Sequence, residues 1–367
     1  MSPENPPEGV SWYRARYEPG AIDPDTAAHE LKERGDLVRE ASPNYYRATQ
    51  ATPNDPGFPQ QWGLRQINAP DAWEIERGQA SVVVAVLDTG CAMAHPELSP
   101  AIIGAASTDL VDINPAVQAP TDWAWDGDRA GRDNDPADEV GHGTHVAGII
   151  GARANNGLQG AGVAGCSLMI VRVLARLVHI SGTVIGFGTS FDITAGIQWA
   201  IDHHASIINM SFGFTDASVH EKEAVERAFA SGIVVVAAMG NDRDTNAILR
   251  PAAYRDVIAV GALEPHGGLW NQSQTGTHIS LVAPGVDIES TLMDGGFGPM
   301  NGTSMAAAFV SGVAALVRSH APELSARQIR KVLQDTADPL SGGVRPNQES
   351  GWGCVNAAKA LVAVSST

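Results

Sequence analysis

Unbroken apolar runs alternate along this chain with amphipathic or small-residue stretches. Ser81-Val82-Val83-Val84-Ala85-Val86-Leu87 is β-branched and nearly free of polar breaks, the pattern of a parallel strand covered on both faces. Further strands are predicted over 168–174, 206–210, 233–238 and 256–261. Helical stretches are predicted between them, over 142–152, 191–203, 218–230 and 304–319. A surface helix follows over 325–333, with Ser325 as its cap. Such alternation implies an α/β fold, a mostly parallel central sheet with helices on both faces. No internal repeat is visible.

Residues 1–50 stand apart from this pattern. They open Pro-rich, pass through helical spacing over 26–34 and end in the stretch 36–46. The expected organisation is an N-terminal extension over 1–50 and one main domain over 51–367. A disordered tail or accessory segment is the plainer reading of the extension.

Composition narrows the partners. The 367 residues are 44% hydrophobic and 18% charged, with 39 glycines, which suits a globular α/β protein with many tight loops. A net charge of -17 disfavours nucleic acid and anionic membrane, since neither offers counter-charge. The three cysteines, Cys91, Cys166 and Cys354, are an odd number without metal-ligand spacing and form no disulfide framework. They read as small buried hydrophobes, and disulfide-poor usage leans towards a reducing compartment. The first 20 residues lack an apolar signal core, and no run approaches the roughly 18 apolar residues of a spanning helix. This favours a cytoplasmic protein, or a secreted one whose leader has been removed.

Three short motifs carry candidate chemistry. Asp88 stands where the first strand runs out into Thr89-Gly90, the carboxyl end of a sheet, where open α/β folds place their sites. A solvated turn Asp is the plainer reading. His142 lies among glycines in Gly141-His142-Gly143-Thr144-His145, which lets backbone or substrate approach closely; a core histidine is the alternative. Ser304 follows Asn301-Gly302-Thr303 at the start of an apolar helix, where an ordinary N-cap is the usual role. Together they are the parts of a hydrolytic triad: a serine nucleophile, a histidine base and a carboxylate that fixes the imidazole tautomer. The order Asp, His, Ser is that of subtilisin-type enzymes and not of chymotrypsin-type enzymes or α/β-hydrolases. A lipase or esterase would carry a Gly-x-Ser-x-Gly elbow, which is missing here.

From about Thr52 to about Val364 the chain resembles the subtilases, the subtilisin superfamily of serine endopeptidases, and most of all their thermitase branch. The resemblance is carried by TPNDP at 52–56, QINAPDAW at 66–73, LDTG at 87–90, HPEL at 95–98, GHGTHVAG, GVAG at 162–165 and VRVL at 171–174. It continues through IINMSFG at 207–213, VVVAAMGN at 234–241, VIAVGA at 257–262, VAPG at 282–285 and NGTSMAA. It implies a subtilisin-like α/β fold and cleavage of protein or peptide substrates through an acyl-enzyme. Asn241 then matches the side-chain oxyanion donor, with the backbone N–H of Ser304 as the second; on its own it would be a turn residue. Gly186-Phe187-Gly188 and Ser211-Phe212-Gly213 match the two backbone segments that sandwich an extended substrate, although core packing would account for either Phe. The pocket for the P1 side chain would lie between Ser211-Phe212-Gly213 and Ala237-Ala238-Met239-Gly240, with a preference for large apolar or aromatic residues. Asp242 would stand near its mouth. Residues 36–46 resemble the end of a subtilase propeptide, although the extension is shorter than an inhibitory prodomain of about 70–80 residues. Ala308 stands where the family has Pro, a change that costs little near a helix start.

Structural calcium is implied twice. Asp55, Glu97 and the loop 154–160 match the family's calcium site, with the side-chain oxygen of Asn156 and the carbonyls of Ala154, Leu158 and Gly160 as ligands; Glu97 replaces the usual Asp. Separately, residues 105–140 lengthen the separation of Asp88 from His142 to 54 residues and hold Asp126, Asp128, Asp133, Asp135, Asp138 and Glu139. Asp133, Asp135 and Asp138 could supply oxygens to a hard cation, or form a solvated acidic loop. Three functions follow: a broad calcium-stabilised endopeptidase, a maturation protease whose 105–140 segment sets selectivity, and a catalytically silent interaction protein.

Overall fold

The computed structural model of the protein describes residues 30–33, 52–243, 248–340 and 345–365. The chain divides into two compact units, Met1–Thr49 and Gln50–Thr367. In the first, residues 30–32 are helical; the propeptide-like stretch 36–46 lies outside the described residues.

In the second unit a seven-stranded sheet carries every strand anticipated from the apolar runs. Its members are β1 (Val83–Asp88), β2 (Thr108–Asp109), β4 (Ser167–Arg172), β7 (Ile207–Met210), β8 (Val234–Ala238), β9 (Val257–Leu263) and β10 (Leu281–Pro284). All neighbours are parallel, in the order β10-β9-β8-β7-β1-β4-β2. Side-chain alternation in β1 explains its unbroken apolar sequence. Val84 and Val86 enter one core, while Ala85 and Leu87 enter the other on the opposite face.

Helices α3 (His142–Gly151), α6 (Thr303–His320), α7 (Ala326–Asp335) and α8 (Ala357–Ser365) contribute to the first core. Helices α4 (Ser190–Asp202) and α5 (Val219–Ala230) cover the other face. The short α1 (Trp62–Gln66) and α2 (Ala69–Ala72) precede the sheet. Caps set the starts of the polar helices. Thr189 and Ser218 accept the N–H groups of Asp192 and Glu221, and Ser325 forms a reciprocal capping box with Gln328, as its sequence position anticipates.

Short elements were not legible beforehand. β3 (Trp123–Trp125), β5 (Ala175–His179) and β6 (Val184–Phe187) form an antiparallel sheet in the order β3-β5-β6. β11 (Ile288–Thr291) and β12 (Phe297–Met300) form a hairpin against α3. Among the described residues no helix is long and apolar enough to cross a membrane.

Candidate active site

Asp88 is the last residue of β1 and fully buried. Its Oδ1 accepts the Thr89 N–H at 2.8 Å and faces His142 Nδ1 at 2.6 Å. This pairing fixes the proton on Nδ1 and leaves Nε2 as the basic nitrogen. Burial pulls the His142 pKa down, but the charge of Asp88, its hydrogen bond and the charge of Asp138 outweigh it, so the value lies above the ordinary 6.5. The glycine after His142 is sterically required: a Cβ at Gly143 would run into the Gly90 carbonyl oxygen.

Ser304 is the second residue of α6. The N-cap is Gly302, which makes no side-chain cap, so Ser304 does not cap this helix. Its Oγ donates to the Ser211 carbonyl at 2.9 Å, and Ser211 Oγ donates back to the Ser304 carbonyl at 3.0 Å. Behind this pair a buried chain continues: Asn209 Nδ2 donates to Ser211 Oγ, and Ser311 Oγ donates to Asn209 Oδ1. The start of α6 is thus tied to the end of β7, and sequence reasoning missed the parts played by Asn209 and Ser311. At the second helical position the Ser304 N–H belongs to the first turn, whose N–H groups have no intrahelical partner.

Asn241 approaches from the end of β8. Its Oδ1 accepts both the N–H and the Oγ1–H of Thr303 at 2.9 Å. The carbonyl end is therefore fixed, and Nδ2 remains as a directed donor, 3.5 Å from where a Cβ on Gly302 would stand.

The candidate substrate segments occupy two different elements. Gly186 and Phe187 end β6, which among the described residues is an edge strand with no neighbour on its outer side, and Gly188 follows. Gly186 packs against Thr89, next to Asp88. Ser211, Phe212 and Gly213 continue from β7. Phe187 and Phe212 are half-buried members of an aromatic row. Trp125 meets Phe187 edge-on at 5.9 Å, Phe187 meets Phe214 at 6.0 Å, and Phe214 meets Phe212 at 5.9 Å. Ala238 and Met239 are buried, and the Met239 side chain packs in the core with Val235 and Ala237, continuing the alternation of β8. Gly240 is partly exposed.

The acidic segment before His142 is not arranged as a cation site. Asp138 accepts five donors: the Thr89 hydroxyl, the N–H groups of Val140, Gly141 and Thr144, and the Thr144 hydroxyl. A carboxylate so committed anchors the N-terminus of α3, where negative charge is favoured. Asp133 and Asp135 are exposed, and Asp133 Oδ1 accepts the Asp135 N–H in a local turn. Other acids of the segment face arginines. The buried Arg172, in register with Asp88 across β1 and β4, pairs with Asp109 and with Glu139 at 2.9 Å and donates to the Asp128 carbonyl at 2.5 Å. Arg176 pairs with Asp126 at 3.1 Å and donates to the Glu139 carbonyl at 3.1 Å. Burial raises Asp109 to about 6 even so, against the pull of the Val111 N–H and Arg172.

Three of the other candidate calcium ligands, Asp55, Glu97 and Asn156, do converge. Asp55 accepts the N–H groups of Asn155, Asn156 and Gly157. Glu97 accepts those of Gln159 and Gly160 and the Asn156 side-chain amide. Asn156 Oδ1 accepts the Leu158 N–H, and Ala154 begins the loop. Both carboxylates are buried, and among the described residues neither has an ion-pair partner. No group of three or more His, Cys, Asp and Glu side chains suited to a metal is found among the described residues. A cation here would therefore rely on two carboxylates together with amide and carbonyl oxygens, a set that suits calcium.

Residues 79–353 match the Subtilase family. The chain is 37% identical over 308 residues to the "Thermophilic serine proteinase" of Bacillus sp. (strain AK1), covering 83% of this chain and 69% of that protein. It is 36% identical over 293 residues to "Thermitase" of Thermoactinomyces vulgaris, covering 79% and 93%. A solved protease structure from Pseudoalteromonas arctica PAMC 21717 superposes with a TM-score of 0.74 at 32% identity, over 85% of this chain and 99% of that one. With the α/β fold and the Asp-His-Ser order already in view, the chain belongs to the subtilase family and is a subtilisin-like serine endopeptidase.

Proposed function

We propose that Ser304, His142 and Asp88 are the catalytic triad, with Asn241 and the Ser304 N–H as oxyanion donors. The observation that carries this is the 2.6 Å contact of His142 Nδ1 with the buried Asp88 at the end of the strand next to the one that receives Ser304 Oγ. Ser304 Oγ turns from the Ser211 carbonyl to attack the scissile carbonyl carbon as its proton passes to His142 Nε2. The imidazolium is stabilised by Asp88, and the new oxyanion receives N–H groups from Ser304 and Asn241. Collapse expels the amine with the proton from His142, and water repeats the cycle on the acyl-enzyme. The extended substrate adds alongside the outer edge of β6 and residues 211–213, with an apolar side chain at P1. Labelling with a fluorophosphonate tests this assignment: wild type should be modified and Ser304→Ala should not. Labelling that survives Ser304→Ala would place the nucleophile elsewhere.

A dedicated maturation protease is the second reading. It is favoured by the arginine-anchored 105–140 segment, which adds β3 to the sheet that ends in β6. Peptide-library cleavage separates the two, since a maturation enzyme would select several positions at once.

Calcium would be held by Asp55, Glu97 and Asn156 with the carbonyls of Ala154, Leu158 and Gly160. Its role there is to neutralise two buried carboxylates and tie the loop to both, away from the reacting atoms.

A further inference from the structure

The side chain beside the scissile bond has a defined place. The family resemblance puts this side chain between the segment after β7 and the end of β8; consistent with it, Ser304 Oγ lies at the Ser211 carbonyl and Asn241 directly follows Gly240. Both walls present glycine there, Gly213 and Gly240. The space over the two glycines is occupied by a residue outside every family motif. A Cβ on Gly240 would collide with Leu249 Cδ1, and one on Gly213 would lie 3.2 Å from Leu249 Cβ and 3.5 Å from its Cδ1. Leu249 is half-buried and held firmly in place. Phe214 and Arg250 exchange two backbone hydrogen bonds of 2.9 Å, stitching residue 250 to the residue after Gly213, and the Leu249 carbonyl accepts the Ala253 N–H at 3.0 Å.

We propose that Leu249 is a specificity-determining residue that floors the P1 pocket and limits it to small apolar side chains such as alanine and valine. Apolar walls alone suggest large or aromatic P1 residues, but a leucine across both glycines takes the volume those side chains need. A close-packed interior does not yield that volume without displacing its occupant. The proposal rests on the reading of Ser304 as the nucleophile and specifies the substrate that site accepts.

Two fluorogenic peptides differing only in Ala or Phe at P1 provide the test, with active sites counted by fluorophosphonate titration. Wild type should favour Ala over Phe in kcat/KM by about 10-fold or more, in line with about 10–200-fold per methylene of misfit in an apolar pocket. Leu249→Gly should raise kcat/KM for Phe by about 10-fold or more and shift the Phe-to-Ala ratio towards Phe. Leu249→Ala, which keeps a Cβ and disturbs the segment less, should fall between. A wild-type enzyme that cleaves after Phe as well as after Ala overturns the proposal even if neither variant folds. Titratable variants with an unchanged Phe-to-Ala ratio overturn it as well and leave the serine-protease reading standing. A wild type that does not react with the fluorophosphonate overturns that reading, and this proposal with it.

Discussion

Asp88 and Ser211 stand side by side at the ends of adjacent parallel strands, each one residue beyond the paired Leu87 and Met210. Strands in a sheet lie about 4.8 Å apart, so the register itself brings the carboxylate that holds His142 next to the carbonyl that holds Ser304 Oγ. The neighbouring end of β8 then delivers Asn241. Three sequence-distant motifs meet because three buried strands end at one edge.

Residues that act as a unit show non-additive losses. Ser304→Ala and His142→Ala should each lower kcat by about 10⁶-fold, and the double variant little further. Additive losses in steady-state kinetics would mean that the two residues serve separate functions.

The His142 titration gives a signed prediction. Burial lowers its pKa, but Asp88 by charge and hydrogen bond, helped by Asp138, lifts it above 6.5. The base must be neutral, so kcat/KM should fall on acidification with a midpoint above 6.5, and Asp88→Asn should move that midpoint down while lowering kcat by about 10⁴-fold. For stability the sign reverses. The raised value contributes stability that is complete below 6.5 and is lost as pH rises through the folded-state pKa. Melting curves of the inactive Ser304→Ala variant would reveal this without self-digestion, and a rate profile flat from pH 5 to 9 would exclude His142 as the base.

Asn241 has its carbonyl end tied to Thr303, so only its amide can serve a developing oxyanion. Asn241→Leu should reduce kcat by roughly 10²–10³-fold with little change in KM, because the interaction belongs to the transition state. A change confined to KM would make Asn241 an ordinary binding residue.

How much of this could be read beforehand depended on the kind of interaction. Five of the seven sheet strands were legible because burial on both faces forces unbroken apolar runs such as 82–87, whereas the short β2 and β10 were not read, and α7 was legible because Ser325 stands at its cap. β3, β5 and β6 were hidden, since a three-residue strand such as Trp123–Trp125 is too short to show a period. The acidic segment misled for a different reason. Its carboxylates look like a cation site, but Asp138 is taken up by Thr89 and the first turn of α3, Asp133 by a local turn, and Glu139 and Asp126 by Arg172 and Arg176, more than 30 residues further on. Leu249 was invisible because only the fold brings it over Gly213 and Gly240.

Glu221 is a stability liability at neutral pH. It is buried at the first turn of α5, burial pushes it up to about 7 against the pull of Arg250, and its Oε1 has no hydrogen-bond partner among the described residues. A carboxyl with a raised folded-state pKa contributes stability that is complete below about 4.5 and lost as pH rises through about 7. Glu221→Gln should therefore stabilise the protein by about 2–3 kcal/mol at pH 8, less the modest helix-dipole benefit of a charge at this position, and by nothing at pH 4. An equal change in melting temperature at both pH values would count against protonation as the cause.

Calcium dependence follows from Asp55 and Glu97, two buried carboxylates served by N–H donors of one loop and by no ion-pair partner among the described residues. An ion bound there favours the folded state by mass action, worth about 2.7 kcal/mol at a free concentration 100 times Kd. That is a large share of a stability of roughly 5–15 kcal/mol. Chelation should lower the melting temperature and speed self-digestion while leaving the initial rate nearly intact, because Asp55 and Glu97 make no contact with His142 or Ser304. Asp55→Ala and Asn156→Ala should reproduce most of the loss and blunt the response to added calcium. The Glu97 carboxylate is longer than the aspartate usual at this place, and its two oxygens already divide between the Asn156 amide and the N–H groups of Gln159 and Gly160. If calcium fails to raise the melting temperature of metal-stripped protein, those donors satisfy the carboxylate without an ion, and Glu97→Asp is the substitution that should restore binding.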